Sequence, residues 1–490
     1  MLLSDLARSA GVEGPPDGDV RITGFAIDNR KVAPGNVFGA FPGTKVNGED
    51  YIPAAIAGGA VAVIARPSAK VEGALHIPAE EPRRTFALLA AQFYRPVPEN
   101  VVAVTGTNGK TSTAEMTRQI WRMLGLRSAS IGTLGVTTAD ESISTGLTTP
   151  DIATFLATMT GLAREGVSHV AYEASSHGLS QYRNEGIEVA AGAFTNLSRD
   201  HLDYHKDMDE YFAAKMRLFT EVVSDGGSAV IWTDDRWSKL AVAVATARGL
   251  RLFTVGEEGD GIRLIARKPT PLGQDLKIVH GGRAYAIRLP LIGAYQVANA
   301  LVAAGLTLVT GSDPARVFDA VARLQPVRGR LERAAIAASG APVYVDYAHT
   351  PDALAAAIAA LRPHVSGRLI TVFGAGGDRD KGKRAPMGEA AVAGSDLVIV
   401  TDDNPRGENA AAIRADVLAG APNAQEIGDR RLAIAAAIGE AGSGDIVLVA
   451  GKGHEQGQIV GSGDNMQVLP FDDVSVAREC AAGLGSEASR

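Results

Sequence analysis

The feature that most limits how this chain can fold is a succession of short apolar runs, each closed by a polar loop. "VVAVTG", "HVAYEASS", "AAGAFTNL" and "GSAVIWTDD" follow one another from residue 101, and "PVYVDYAHT", "LITVFGAGGD", "DLVIVTDDNPRGE" and "DIVLVAGKGHE" repeat the pattern later. Runs without polar alternation read as strands buried on both faces, the condition of a parallel sheet covered by helices. Chemistry in such sheets gathers where the polar loops stand, at the carboxyl ends of the strands. The expected fold class is α/β.

With 490 residues the chain is too long for one hydrophobic core, and several domains are expected. Residues 1–98 hold short strand-like runs ("VRITGFAID", "AVAVIAR") and end at "YRPVPEN", whose prolines disfavour helix and strand. A block over 99–328 closes with "LIGAYQVANALVAAGLTLV", read as an amphipathic helix, and a link near "LQPVRGRLE". A second α/β block covers 329–490, and its final "GLGSEASR" is expected to fray. A net charge of −7 without a long basic run argues against a nucleic-acid partner. The single Cys480 excludes an internal disulfide and suits a reducing compartment. No run approaches the roughly 18 apolar residues of a membrane span. Asp5 and Arg8 interrupt the apolar start, so it does not read as a secretion signal. The expected location is cytoplasmic.

"VVAVTGTNGKTSTAEM", residues 101–116, sets a strand, a glycine-bearing turn and a helix in order. The common phosphate loop, G-x-x-x-x-G-K-[ST], needs glycine where this chain has Val104. The shortened T-G-T-N-G-K-T still has the working parts. Gly106 and Gly109 allow a tight turn whose N–H groups surround phosphate oxygens at a helix N-terminus. Lys110 can reach the β- and γ-phosphates, and the Thr111 hydroxyl suits Mg²⁺.

This loop resembles that of the Mur ligase family, which also includes folylpolyglutamate synthases. The resemblance implies three domains: a small N-terminal α/β uridine-binding domain, a central P-loop ATP-binding α/β domain and a C-terminal Rossmann-like α/β domain. It also implies that Gly106, Thr107, Asn108, Gly109, Lys110, Thr111 and Ser112 bind ATP, with Asn299 of "GAYQVANA" on the adenine side. Gln296 stands where the family often has Asn. Glu173 of "YEASSHGLSQYR" and His201 of "TNLSRDHLDYH" match metal positions, whereas His205 reads as structural. Lys215 of "YFAAKMRLF" would be a solvated helical lysine on its own; the matching family lysine is carbamylated and helps hold the second of two Mg²⁺ ions. Asp346 and His349 of "DYAHTPDAL", at the end of the last block's first strand, would face the nucleotide.

The choice within the family rests on loops of the last block. D-N-P-R in "TDDNPRGE" marks the branch that uses meso-diaminopimelate, a substrate carrying both an ammonium and a carboxylate at its far end. Arg406 can grip a carboxylate bidentately, Asp403 can pair with an ammonium, and Pro405 fixes the turn that aims them. By the same resemblance Asn404, Arg379 of "GAGGDRDKGKR", and Gly451 and Glu455 of "GKGHE" complete that site; some of the basic residues up to Arg384 are expected to face solvent. Ile27, Asn29, Thr148, Thr149, Ser175, Gln181 and Arg183 would hold the UDP-muramoyl peptide, with Asn29 and Thr44 as departures from the usual Ser and His. The implied activity is ATP-dependent addition of meso-diaminopimelate to UDP-N-acetylmuramoyl-L-alanyl-D-glutamate through an acyl phosphate, by a monomer. A lysine-adding ligase, a folylpolyglutamate synthase and a non-catalytic nucleotide sensor are the alternatives.

Overall fold

The computed structural model describes the whole chain except residues 15–17, 44–45, 144–147, 203, 271–272 and 484–490. Thr44 and the terminal segment expected to fray therefore lie outside the described residues. Two compact units divide the chain: residues 1–263 with 301–320, and residues 264–300 with 321–490.

The first unit opens with a four-stranded parallel sheet, Gly24–Ala26, Asn36–Gly39, Ala60–Ala65 and Leu75–Pro78, in sequential order. Helices Leu3–Ala10 and Pro82–Phe93 cover it, and Phe86 meets Phe25 and Phe41 edge-on. A larger sheet follows. Its strands run Arg251–Gly256, Val223–Trp232, Val189–Phe194, Asn100–Thr105, His169–Glu173 and Ser128–Gly132 side by side, all parallel. Gly135–Thr137 and Ser142–Ile143 extend it antiparallel. The first of these strands in sequence, Asn100–Thr105, thus sits mid-sheet, with later strands added on either side. That is the topological switch point where a crevice forms beyond the strand ends. Both sheets share one core, running from Leu3 and Phe86 through Val101, Phe155 and Phe194 to Leu250.

In the second unit, six strands lie in the order Glu332–Ile336, Pro342–Asp346, Ile446–Ala450, Leu369–Phe373, Leu397–Val400 and Gln425–Glu426. All pairs are parallel except the first. The apolar runs bury both faces: Ile446, Leu448 and Ala450 point into one core, Val447 and Val449 into the other. Ile446–Ala450, late in sequence, inserts between Pro342–Asp346 and Leu369–Phe373, so this sheet too has its switch point at the ends carrying Asp346 and Gly451. A hairpin, Gly273–His280 and Arg283–Leu289, also belongs to this unit.

Two sequence expectations need correction. Asp346 ends the second strand of its block, because the antiparallel Glu332–Ile336 precedes it. Helix Ala294–Val309 is not amphipathic: Val297, Ala300, Leu301, Val302, Ala303, Ala304 and Leu306 are all buried. Its small residues admit neighbours on every side; at Gly305 a β-carbon would press on Val230 and Phe253. Among the described residues no helix is long and apolar enough to cross a membrane.

Candidate active site

The phosphate loop is built by two adjacent strand ends. Gly106 turns at φ 146°, and a β-carbon there would overlap the Thr195 hydroxyl. Thr195 Oγ1 donates to the Asn108 carbonyl at 2.6 Å, the Asn108 N–H donates to Asn196 Oδ1 at 2.9 Å, and Thr107 Oγ1 accepts the Ser198 N–H at 3.0 Å. The "TNLS" segment after Val189–Phe194 therefore fixes the loop's shape, and helix Lys110–Met123 starts directly behind Gly109. Lys110 Nζ donates to the carbonyls of Gly106 (2.9 Å) and Thr107 (2.7 Å).

Lys215, on helix Met208–Arg217, is not solvated: it is 1% exposed. Its Nζ donates to the same Gly106 carbonyl at 2.7 Å and lies 4.4 Å from the Tyr211 ring centre. Burial, and then the Lys110 ammonium, push its pKa well below the ordinary lysine value. That shift favours the neutral amine, the form that can capture CO₂.

Glu173 ends its strand 2% exposed and accepts the Thr133 N–H at 2.7 Å and the Thr133 hydroxyl at 3.3 Å. It lines a small cavity with Thr111, Glu115, Ser130 and Gly132. Thr111 and Glu173 supply a hydroxyl and a carboxylate oxygen there, the hard donors that suit a divalent cation, while Glu115 accepts from Arg118 and from Ser130 at 2.7 Å. His201 adopts φ 54°, places Nε2 3.5 Å from Asp200, and stands edge-on to His177 and Tyr211. Among the described residues no group of three His, Cys, Asp or Glu gathers to hold a metal. The donors thus fit Mg²⁺ at the Thr111–Glu173 cavity, whereas His201 pairs with Asp200.

Of the residues expected to hold the UDP-muramoyl peptide, Thr148, Thr149, Ser175, Gln181 and Arg183 form one network. Thr148 and Thr133 hydroxyls lie 3.1 Å apart, Thr149 Oγ1 donates to the Glu173 carbonyl at 2.9 Å, and Thr149 and Ser175 hydroxyls lie 3.0 Å apart. Arg183 donates to the Thr149 carbonyl (2.9 Å) and to Gln181 Oε1 (2.7 Å), and Gln181 donates to the Tyr204 hydroxyl at 3.2 Å. Ile27 packs against the shared core and Asn29 opens a short 3₁₀ turn; neither joins this network. Arg83, which the sequence did not single out, donates to the Pro42 carbonyl at 3.2 Å over the Phe41 ring. Burial, and then the charge of Arg183, depress its pKa.

In the second unit, Asp346 accepts N–H groups from Leu331 (2.7 Å) and Ala348 (2.9 Å), and burial pushes its pKa up to about 6. Asn299 donates to Gln296 Oε1 at 3.2 Å, and Gln296 donates to the Arg330 carbonyl at 3.0 Å, so both lie beside the segment that binds Asp346. His349 bonds the Tyr347 carbonyl through Nδ1 at 2.8 Å, and Lys383 donates to the His349 carbonyl at 2.9 Å. The His454 ring lies tilted 4.9 Å from that of Tyr347, and its pKa is pushed down to about 3 by burial and then by Arg330.

The loops after Leu369–Phe373, Leu397–Val400 and Ile446–Ala450 converge in the same unit. Arg406 adopts φ 50° and donates to the Gly377 carbonyl at 2.9 Å; a side chain at Gly377 would overlap the Pro405 carbonyl. Burial and the neighbouring Arg379 guanidinium lower the Arg406 pKa. Arg379 donates to the Asp378 carbonyl at 3.4 Å, and among the described residues neither of these two adjacent guanidiniums forms an ion pair, although the charges of Asp403, Glu455 and Asp378 reach Arg406. Opposite them stand Asp403 and Glu455, joined through Lys452 and Asn404. Gly451 (φ 119°) ties this cluster to Asp346, donating to its carbonyl at 3.1 Å. Of the basic residues up to Arg384, Arg379 and Lys381 are exposed as expected of some of them, whereas Arg384 is 1% exposed and ion-paired with Glu408 (2.8 Å) and Asp416 (2.9 Å). Lys452 was likewise missed, because a lysine between two glycines gives no local signal of its partners.

Comparison with known proteins agrees along the chain. Residues 21–94 match the Mur ligase family catalytic domain, 104–307 the Mur ligase middle domain and 329–453 the Mur ligase glutamate ligase domain. A protein of Zymomonas mobilis named UDP-N-acetylmuramoyl-L-alanyl-D-glutamate–2,6-diaminopimelate ligase is 60% identical, covering 97% of this chain and 98% of its own. One of the same name from Bradyrhizobium diazoefficiens is 51% identical over 96% and 97%. A solved structure with that name superposes at TM-score 0.71, with 32% identity and 99% of each chain covered. Folylpolyglutamate synthase from Mycobacterium tuberculosis, solved with ADP and AMPPCP, shares the fold at TM-score 0.63 and 20% identity, over 84% of this chain and 96% of its own. Phosphate loop, buried lysine and three matched domains together make this chain a member of the Mur ligase family.

Proposed function

We propose that the chain is an ATP-dependent amide ligase joining meso-2,6-diaminopimelate to UDP-N-acetylmuramoyl-L-alanyl-D-glutamate, in cytoplasmic peptidoglycan precursor synthesis. The observation that carries the choice of amino acid is the charge division around Arg406. Two guanidiniums that form no ion pair among the described residues stand near the carboxylates of Asp403 and Glu455, a division that suits a ligand end bearing one carboxylate and one ammonium. The relatives named for diaminopimelate addition support the same reading. Residues 1–98 are assigned to the uridine nucleotide, 99–328 to ATP and 329–490 to the amino acid, in a monomer.

A carboxylate is a poor electrophile, so the γ-phosphoryl of ATP passes to the acceptor's carboxylate, giving an acyl phosphate and ADP. The neutral amine of the amino acid then attacks the acyl carbon, and phosphate leaves. Lys110 exchanges the loop carbonyls for phosphate oxygens and offsets their charge. Ser175, Gln181 and Arg183 hold the peptide, and Thr148 and Thr149 seat it beside Glu173. The Lys215 amine adds CO₂ with loss of one proton, becoming an anionic carbamate. Thr111 and Glu173 would hold one Mg²⁺, and His201, on leaving Asp200, would hold a second with the Lys215 carbamate; such ions would supply charge neutralisation at the phosphoryl group.

Omitting one component at a time tests this proposal. ADP release should require ATP, the UDP-muramoyl dipeptide and diaminopimelate together. Equal release without the dipeptide would overturn it.

A further inference from the structure

The buried ammonium of Lys452 is the best-enclosed charge in the specificity loops, yet no step above uses it. Lys452 is 0% exposed. Its Nζ donates to Asn404 Oδ1 at 2.7 Å, to Glu455 Oε2 at 3.3 Å and to Asp403 Oδ1 at 3.4 Å, so all three of its protons have acceptors. Around this centre the two loops are latched. Asn404 Nδ2 donates to Glu455 Oε2 at 2.8 Å, its Oδ1 also accepts the Ile459 N–H at 2.9 Å, and Gln458 donates to the Asp403 carbonyl at 2.7 Å. The Arg406 N–H donates to the Ile459 carbonyl at 3.0 Å, and the Gly461 N–H returns to the Arg406 carbonyl at 2.8 Å. The loop carrying Arg406 therefore takes its position from the segment that follows Lys452.

We infer that Lys452 is a positioning and specificity-determining residue: its ammonium holds Asp403, Asn404 and Glu455 in register and leaves the anionic side with one uncompensated charge. This rests on the reading of Arg379, Asp403, Arg406 and Glu455 as the amino-acid site. Two carboxylates and one ammonium give a net charge of −1, the match for a single ligand ammonium beside the carboxylate that the guanidiniums take. Arg430, fully buried against Asp473, closes the far side by donating to the carbonyls of Asp402 and Ala450. Its charge is matched in direct contact by Asp473, whereas Lys452 is the ammonium hydrogen-bonded to both Asp403 and Glu455.

The Lys452→Met variant tests this. KM for diaminopimelate should rise on the order of 100-fold, the scale of a site displaced by about an ångström, with KM for ATP and the dipeptide changed less than about twofold. The preference for diaminopimelate over lysine should fall, because the anionic side gains a charge that favours a more cationic ligand. Lys452→Arg, which keeps the charge, should recover part of that preference. Should the Met variant not fold, as judged by loss of its melting transition, Lys452→Gln is measured the same way. An unchanged KM and preference, or a loss confined to kcat and stability, would overturn the inference. Wild-type protein that ignores diaminopimelate altogether would instead refute the functional reading beneath it.

Discussion

Single residues carry unusual electrostatics here, and they separate what sequence can reveal from what it cannot. Lys110 and Glu173 were legible because short motifs place them on a loop and at a strand end. The environment of Lys215 was not, since a helical lysine is ordinarily solvated; only the fold puts its amine on the Gly106 carbonyl. Lys215→Ala should therefore abolish ligation while leaving the fold intact, and mass spectrometry of wild-type protein in bicarbonate should show one added CO₂ on that lysine's peptide. Full activity in the variant would remove the carbamate from the account. Asp346 offers a pH test. Burial raises its pKa from 3.8 to about 6, so between those values the folded protein keeps a proton that the unfolded chain has released. Its contribution to stability falls as pH rises through that window, by up to about 3 kcal/mol at neutral pH. Asp346→Asn should flatten the pH dependence of the urea midpoint between pH 4 and 6; a slope equal to wild type would contradict the assignment. Left-handed backbone at His201, Leu331, Asp378 and Arg406, each in or beside a candidate site, is a further residue-scale mark of function that no sequence pattern announced.

At the scale of elements, the strand-then-loop units were readable because a parallel strand buried on both faces has an apolar run as its signature. The joints between units were not. Lys452 and Asn404 are 48 residues apart in sequence, and Arg384 and Asp416 are 32 apart, so their pairing depends on sheet order. The misread helix Ala294–Val309 has the same cause: alanine and glycine positions look neutral in a periodicity count but permit packing all round. The phosphate loop itself makes a sharp prediction. At Gly106 a methyl group would displace the Thr195 hydroxyl that fixes Asn108, so Gly106→Ala should cost on the order of 100-fold in kcat/KM for ATP. Retention of full ATP dependence would show that the loop does not need this turn.

For the molecule as a whole, length, apolar runs and prolines pointed to several α/β blocks and the family resemblance to three domains, and three family domains match along the chain. The central claim is narrower: the loops around Arg406 choose an amino acid by matching one carboxylate and one ammonium at its far end. Replacing Arg406 removes half of that match and none of the phosphoryl-transfer groups. The most direct measurement is a competition in which the protein receives ATP, the UDP-muramoyl dipeptide and equimolar diaminopimelate and lysine, with both products quantified. The account predicts almost exclusive diaminopimelate product from wild type and a preference reduced by about 100-fold in Arg406→Ala, the cost of leaving a carboxylate without its bidentate partner. Equal incorporation of lysine by the wild-type protein would contradict it.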